Sequence, residues 1–152
     1  MCSSDLGRLV FSPRVPREDY LSRLATADLF LDTLPYNAGT TANDALRAGL
    51  PIVSCAGNGF AGRMAGSLLQ AVGMPELLCH SLADYEQLAL ALARDPQRLA
   101  VTRQRLMAAR SNSLLFDVDA FTRGVEAAYT QMWRRFSDGL ASEAFCVDSG
   151  RR

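Results

Sequence analysis

Short apolar runs alternate with longer segments of helical period along the first half of the chain. Four runs have the length of strands and are bounded by turn residues: 8–11 (RLVF), 28–32 (DLFLD), 51–55 (PIVSC) and 76–80 (ELLCH). The recurrence of apolar residues every three or four positions predicts helices at 16–27, 41–48 and about 60–72. This alternation is typical of βαβ units, so the pattern predicts an α/β fold with a Rossmann-like parallel sheet.

From residue 81 onward the pattern is wholly helical. Ser81-x-x-Asp84, Asp95-Pro96 and Asp117 each place a capping side chain before a helical period, which predicts three C-terminal helices. The last should reach Ser137 with an apolar stripe wide enough to bury against a neighbour. The stripe comprises Val118, Phe121, Val125, Tyr129, Met132 and Phe136. We interpret it as core, with a partner-binding helix as the alternative.

The chain divides into three segments. Its start, MCSSDLG, resembles a translated sequencing adapter, so residues 1–6 are expected to be non-native or disordered, with a short natural tail as the alternative. Residues 7–138 are expected to form one domain. Residues 139–152 have no sustained period and are expected to be a flexible tail. With a foreign start, the chain would be a fragment of a longer protein.

Composition narrows the classes of partner. The 152 residues include sixteen basic and sixteen acidic ones, so net charge attracts neither nucleic acid nor an anionic membrane at long range. No apolar run is long enough to span a bilayer. The four cysteines, at positions 2, 55, 79 and 146, lack the close spacing of a zinc site or redox dithiol. We expect a reduced, cytoplasmic protein without nucleic acid or membrane as a partner.

The segment YNAGTTANDALRAGLP, at 36–51, carries the candidate chemistry. It follows a predicted strand and enters a helix, where free amides and the helix dipole favour an anion. Gly39 permits close approach, Thr40 and Thr41 add hydroxyl donors, and the Asp44 carboxylate can accept hydrogen bonds from sugar hydroxyls. This suits a ligand with phosphates beside a ribose. The alternative is that Thr41-x-x-Asp44 is a capping box that binds nothing.

Other acidic and cysteine positions have plainer interpretations. Asp32, at the end of a predicted strand, is expected to form a turn, although it could instead orient the phosphate loop. Asp117-x-Asp119 matches a metal-binding signature but is expected to cap a helix. Cys55 and Cys79 end apolar runs and are expected to be core residues.

The stretch DLFLDTLPYNAGTTANDALRAGLPIVS resembles the C-terminal catalytic half of protein O-linked N-acetylglucosamine transferases, the SPINDLY-like family 41 glycosyltransferases of bacterial type. RLVFSPRVPREDYL before it, FAGRMAGSLLQAVGMPELL after it, and later DYEQLALALARDPQRL, SLLFD and AAYTQMW extend the likeness over 8–139. The resemblance implies the second half of a GT-B fold. It also implies inverting transfer from UDP-N-acetylglucosamine to protein serine or threonine, with neither a metal nor another cofactor.

The resemblance also implies residue roles. Thr40 and Thr41 would bind the diphosphate and Asp44 the ribose. Arg17 would neutralise phosphate charge, and the backbone of Val15 would read the uracil. No catalytic residue is assigned, because those proposed in the family lie upstream of this chain.

Two family positions differ, since Tyr20 and Gly39 stand where many members carry nucleotide-contacting histidines, so the donor sugar stays open.

The implied partners are a UDP-sugar, a protein acceptor, the other catalytic half and upstream tetratricopeptide repeats, and the chain alone is expected to be inactive. Since the last helix of GT-B proteins covers the first half, its stripe could be exposed here. The alternatives are a GT-B glycosyltransferase with a non-protein acceptor and a non-catalytic interaction module of the same fold.

Overall fold

A computed structural model describes residues 7–113 and 115–147. The interpretation of 1–6 as a foreign start, and the end of the predicted tail, lie outside these residues. Six α-helices and three β-strands follow one another in the described part. They are α1 (Arg17–Thr26), β1 (Phe30–Leu31), α2 (Thr40–Arg47), β2 (Ile52–Cys55), α3 (Met64–Ala71), β3 (Leu78–Cys79), α4 (Leu82–Arg94), α5 (Pro96–Arg110) and α6 (Val118–Ser137). Short 3₁₀ turns, Ala61–Arg63 and Pro75–Leu77, precede α3 and β3.

The strands form one parallel sheet in the order β1-β2-β3. Phe30 pairs with Ile52 in the first ladder, and Cys55 pairs with Cys79 in the second. The predicted α/β fold with a parallel sheet and C-terminal helices is therefore confirmed. The strands are shorter than predicted, and at β3 the reason is local: the 3₁₀ turn occupies the first residues of the predicted run.

The strand predicted at 8–11 is not formed. Residues 9–16 have no regular secondary structure, and Leu9, Val10 and Phe11 are 59%, 88% and 92% exposed. A strand requires a neighbour for its backbone hydrogen bonds, and the two ladders of the described sheet, β1 with β2 and β2 with β3, do not include this segment. Apolar composition alone therefore gave a wrong prediction here.

The core lies where α2, α3 and α4 meet the sheet. The helices α2 and α3 contact each other and β2, while α4 contacts β2 and β3. The largest side chains that are almost fully enclosed include Leu46, Leu50, Ile52, Leu69, Leu92 and Leu106. Gly49, with φ of 78°, ends α2 as predicted and turns the chain into β2. This packing holds the helix starts at the carboxyl ends of the strands.

The three predicted helix caps are present. Ser81 accepts a hydrogen bond from the Asp84 amide (3.1 Å) at the start of α4. Asp95 accepts one from Arg98 (2.9 Å) at the start of α5. Asp117 accepts one from the Ala120 amide (2.8 Å) at the start of α6, which confirms its capping interpretation.

Helix α6 is formed as predicted, but its apolar stripe is not core. Ala120 is the one buried residue of this helix. Phe121, Tyr129, Trp133 and Phe136 are each more than 65% exposed. The core interpretation is therefore wrong and the exposed stripe implied by the family resemblance is observed, because no described element lies against this face. None of the described helices is long and apolar enough to cross a membrane.

Candidate functional site

The loop after β1 is organised by Asp32, which is 5% exposed. Its Oδ1 accepts hydrogen bonds from the amides of Thr33 and Ala38, both at 2.8 Å, and its Oδ2 accepts one from the Ser54 hydroxyl at 2.6 Å. Its carbonyl oxygen accepts a hydrogen bond from the Tyr85 hydroxyl at 3.0 Å. Asp32 thus forms a turn, as expected, but it also orients the whole loop, a role that the sequence interpretation had placed second.

Asn37 is a loop residue that the sequence interpretation missed. It is fully buried, and its Nδ2 donates to the carbonyls of Thr33 (3.2 Å) and Cys55 (3.4 Å). Its backbone amide donates to the carbonyl of Ala61 (3.2 Å) in the loop after β2. An asparagine among small residues is the only sequence signal for this role. Asn37 joins two loops that leave adjacent strands at the same edge of the sheet.

The loop after β2 packs against the loop after β1. Its two ends meet where the Gly57 amide donates to the Gly62 carbonyl at 2.7 Å. A Cβ atom at Gly62 would lie 2.8 Å from the Gly57 Cα and 3.3 Å from the Pro35 carbonyl oxygen. Only glycine fits this contact without a backbone shift. Arg63 donates a hydrogen bond to the Asn58 carbonyl within the same loop.

Helix α2 begins at Thr40 with Gly39 as its N-cap, and no side chain caps it. The Asn43 amide makes the first helical bond, to the Gly39 carbonyl (3.0 Å), which leaves the amides of the preceding turn without helical acceptors. Thr40 and Thr41 are exposed, and within the described ranges their hydroxyls form no hydrogen bond. The capping box Thr41-x-x-Asp44 is therefore not formed, and the alternative that it explained this motif is wrong.

Asp44 pairs with Arg17. The Arg17 Nη2 lies 3.1 Å from the Asp44 Oδ1, and the two side chains are 67% and 6% exposed. The pair joins the first turn of α1 to the middle of α2, two helices that pack together. The other carboxylate oxygen of Asp44 has no hydrogen bond from the described residues. Asp44 is thus held by one oxygen in a mostly buried position.

The remaining predicted site residues flank this pair. Val15 and Tyr20 are half-buried, one just before α1 and the other inside it, and the Tyr20 amide donates to the Pro16 carbonyl (3.0 Å). Gly39 precedes Thr40, and a Cβ atom there would lie 3.1 Å from the Met64 Cε. The fold therefore assembles the α1 and α2 residues at one edge of the sheet, with Arg17 and Asp44 in direct contact.

Two groups near this edge, the half-buried Tyr85 phenol and the buried Cys79 thiol, have raised pKa values. Burial raises the pKa of the Tyr85 phenol, and nearby Asp32 and the thiols of Cys55 and Cys79 raise it further. Burial also raises the pKa of the Cys79 thiol, with smaller contributions from Cys55 and Asp84. Tyr85 therefore remains a donor to Asp32. Cys55 and Cys79 are both buried, in agreement with their interpretation as core residues.

The parallel sheet and its edge loops define a Rossmann-like α/β protein. Comparison with known proteins identifies the family, because the sequence profile of "Glycosyl transferase family 41" matches residues 2–125. The chain belongs to this family of glycosyltransferases. This confirms the resemblance found from the sequence motifs.

Individual relatives agree with this assignment. The UDP-N-acetylglucosamine–peptide N-acetylglucosaminyltransferase of Caenorhabditis elegans is 37% identical over 136 residues, covering 90% of this chain and 12% of that protein. A probable enzyme of the same name, SPINDLY of Oryza sativa subsp. japonica, is 40% identical over 123 residues, covering 81% and 13%. The chain thus spans about an eighth of the length of these relatives.

A solved structure supports the fold assignment. A mutant of the Thermobaculum terrenum O-GlcNAc transferase superposes with a TM-score of 0.78 at 38% identity, covering 84% of this chain and 25% of that one. Identity at this level over most of the chain supports a shared fold and a shared family. The matched part corresponds to a quarter of the solved chain.

Proposed function

We propose that this chain is the donor-binding part of an inverting, metal-independent protein O-N-acetylglucosaminyltransferase that takes UDP-N-acetylglucosamine as donor. The observation that carries the proposal is the start of α2, where an uncapped helix end with two exposed hydroxyls lies one turn from a held carboxylate. The names of the relatives support the choice of donor and of a protein acceptor. Val15, Tyr20 and Gly39 complete the proposed nucleotide site.

The proposed contacts follow from charge and hydrogen-bonding capacity. The free amides of α2 and the hydroxyls of Thr40 and Thr41 donate to the diphosphate. Asp44, held through Oδ1 by Arg17, accepts from the ribose hydroxyls with Oδ2. Arg17 is mostly exposed, so its guanidinium also offsets phosphate charge. Each group of the nucleotide thus meets a protein group of complementary character.

The proposed chemistry is displacement at the anomeric carbon of the sugar. A serine or threonine hydroxyl of the acceptor protein attacks, and UDP leaves with growing negative charge on its diphosphate. The α2 amides, the two threonine hydroxyls and Arg17 stabilise that charge in the transition state. The catalytic base and the acceptor-binding half belong, in this proposal, to further sequence of the enzyme, together with tetratricopeptide repeats. The protein would act in the cytoplasm, and the described chain alone would bind donor without transferring sugar.

Calorimetry with UDP tests the proposed site. The chain should bind UDP, and replacing both Thr41 and Asp44 with alanine should weaken binding by roughly ten- to a hundredfold, the effect of losing hydrogen bonds to charged groups. A control pair, Thr130→Ala with Asp138→Ala, removes an exposed threonine and aspartate from the α6 region and should leave affinity unchanged. Equal affinity of the Thr41/Asp44 variant and the wild type would refute the site.

Two further measurements test the finer parts of the proposal. UDP affinity should be the same with and without a chelator such as EDTA, because protein groups rather than a cation meet the diphosphate. UDP-N-acetylglucosamine should also compete with UDP, whereas preferential competition by GDP or GDP-sugars would contradict the proposed donor.

A further inference from the structure

We propose that Asp32 is a positioning residue for the diphosphate site, an inference that rests on the proposed function. Asp32 touches no ligand in this proposal. Its carboxylate instead fixes both ends of the segment 33–38, the loop that leads from β1 to the N-cap of α2. The donor-binding helix end is thereby held in place relative to the sheet.

The hydrogen bonds of Asp32 close the loop. One carboxylate oxygen receives the amides of Thr33 and Ala38, the first and last residues of the segment, each at 2.8 Å. Ala38 is followed directly by Gly39, so the position of Ala38 determines where α2 begins. The other oxygen receives the hydroxyl of Ser54 at 2.6 Å, and Ser54 is fully buried in the middle strand. The Asp32 side chain therefore fixes the start of α2 relative to β2.

A carboxylate suits this position better than other polar side chains. It offers acceptors on both oxygens, and hydrogen bonds to a charged acceptor are stronger than those between neutral groups. Asparagine has one acceptor oxygen, so its amide nitrogen would face the Ser54 hydroxyl and change that contact. Among the ion pairs formed between described residues, none includes Asp32. Neutral donors alone therefore compensate this buried charge.

The same arrangement selects which amides can meet a ligand. The Thr33 and Ala38 amides donate to the Asp32 carboxylate and are therefore not available to a ligand. The amides at the α2 start lack helical acceptors and are available for a diphosphate. The negative charge of Asp32 would repel phosphate if it were exposed, but at 5% exposure it lies behind the loop that it orders.

Helix α4, which is distant from Asp32 in the sequence, also helps to hold this loop in place. The Tyr85 hydroxyl donates to the Asp32 carbonyl at 3.0 Å across 53 positions of sequence. A residue of the C-terminal helices thus fixes the backbone from which the Asp32 carboxylate projects. A preorganised loop lowers the ordering cost that ligand binding would otherwise have to offset.

The test is the variant Asp32→Asn in the full 152-residue chain, titrated with UDP and separately with uridine. UDP affinity should fall about tenfold, as expected for the loss of one charge-assisted contact. Uridine affinity should stay within about twofold, because the proposed ribose and base contacts, Asp44 and Val15, are outside the segment 33–38. A general loss of folding would lower both affinities together. Asp28→Asn, an exposed aspartate just before β1, is the matched control and should change neither.

Two variants that each remove a single hydrogen bond to Asp32 provide the same test if Asp32→Asn does not fold. Ser54→Ala removes the contact to Oδ2, and Tyr85→Phe removes the brace on the carbonyl. Both should weaken UDP more than uridine, by a few-fold. Equal losses for the two ligands, or unchanged UDP affinity in folded variants, would overturn the positioning role alone. A wild-type chain that binds no UDP would instead refute the proposed function.

Discussion

The ion pair between Arg17 and Asp44 spans a steep change in exposure, from 67% to 6%. Surface ion pairs contribute little to stability, and most of this one is open to solvent through Arg17. Its value lies in orientation, since a carboxylate held through one oxygen presents the other in a fixed direction. Removing Arg17 should therefore affect ligand binding more than folding.

The variant Arg17→Met, which keeps an aliphatic side chain without the charge, tests this division. We expect UDP affinity to fall about tenfold and uridine affinity about two- to threefold, because the diphosphate loses a cation and the ribose loses only an orienting contact. The free energy of unfolding should change by less than about 1 kcal/mol. Calorimetry at two salt concentrations and urea unfolding measure these quantities. Equal losses of affinity for UDP and uridine would show that Arg17 acts only by orienting Asp44 and not on the diphosphate.

The buried thiol of Cys79 and the half-buried phenol of Tyr85 predict a loss of stability in alkali. Burial raises the pKa of Cys79 above its ordinary value of 9.0 and that of Tyr85 above 10.0. A group whose pKa is higher in the folded state than in the unfolded state makes its full contribution to stability at pH values below the unfolded-state pKa. This contribution is lost as the pH rises through the folded-state pKa. The free energy of unfolding should thus fall above pH 9.0, first through Cys79 and then through Tyr85.

Urea unfolding across this pH range measures the effect. Cys79→Ser should flatten the first part of the decline and Tyr85→Phe the second, when each variant is compared with its own stability at about pH 8. Identical pH dependence in the wild type and both variants would contradict the assignment to these groups.

At the residue scale, sequence reasoning succeeded where the partner is close in the chain. Ser81, Asp95 and Asp117 bond amides three residues on, so the cap can be found from local spacing. Asn37 was missed because its partners include Cys55 and Ala61, on another loop and strand. The Arg17 and Asp44 contact likewise joins residues 27 apart.

At the element scale, helices were located to within a few residues because their bonds and apolar period are local. Three of the four predicted strands were placed correctly but too long, since strand ends depend on which neighbour continues the ladder. The segment 8–11 shows this limit, because it has the composition of a strand but is not part of the described sheet. The contact between the loops after β1 and β2 was not predicted either, because no local sequence pattern indicates it.

Gly62 tests that loop contact. Gly62→Ala should lower the free energy of unfolding by about 1–3 kcal/mol, because the new Cβ meets backbone atoms of Gly57 and Pro35 that cannot move cheaply. Gly59→Ala, in the same loop with nothing within 4 Å of the added atom, is the matched control. Its effect should stay within about 0.5 kcal/mol. Urea unfolding that gives the two variants equal stability would contradict the packing described.

At the scale of the whole molecule, the exposed stripe of α6 is the most accessible feature to test. Trp133, the only tryptophan, is 68% exposed and its ring lies 5.8 Å from that of Phe136. Its fluorescence should match that of indole in water, and iodide should quench it freely. Shielded, blue-shifted emission in dilute solution would show that something covers this face.

Every side chain proposed to touch the nucleotide lies between Val15 and Asp44, while the later helices contribute the Tyr85 brace to this edge. In the proposed site, donor preference would thus be encoded in a short contiguous stretch of gene. Recombination within that stretch could exchange one activated sugar for another while the scaffold is inherited unchanged, which would allow related enzymes to diverge in donor without rebuilding the domain.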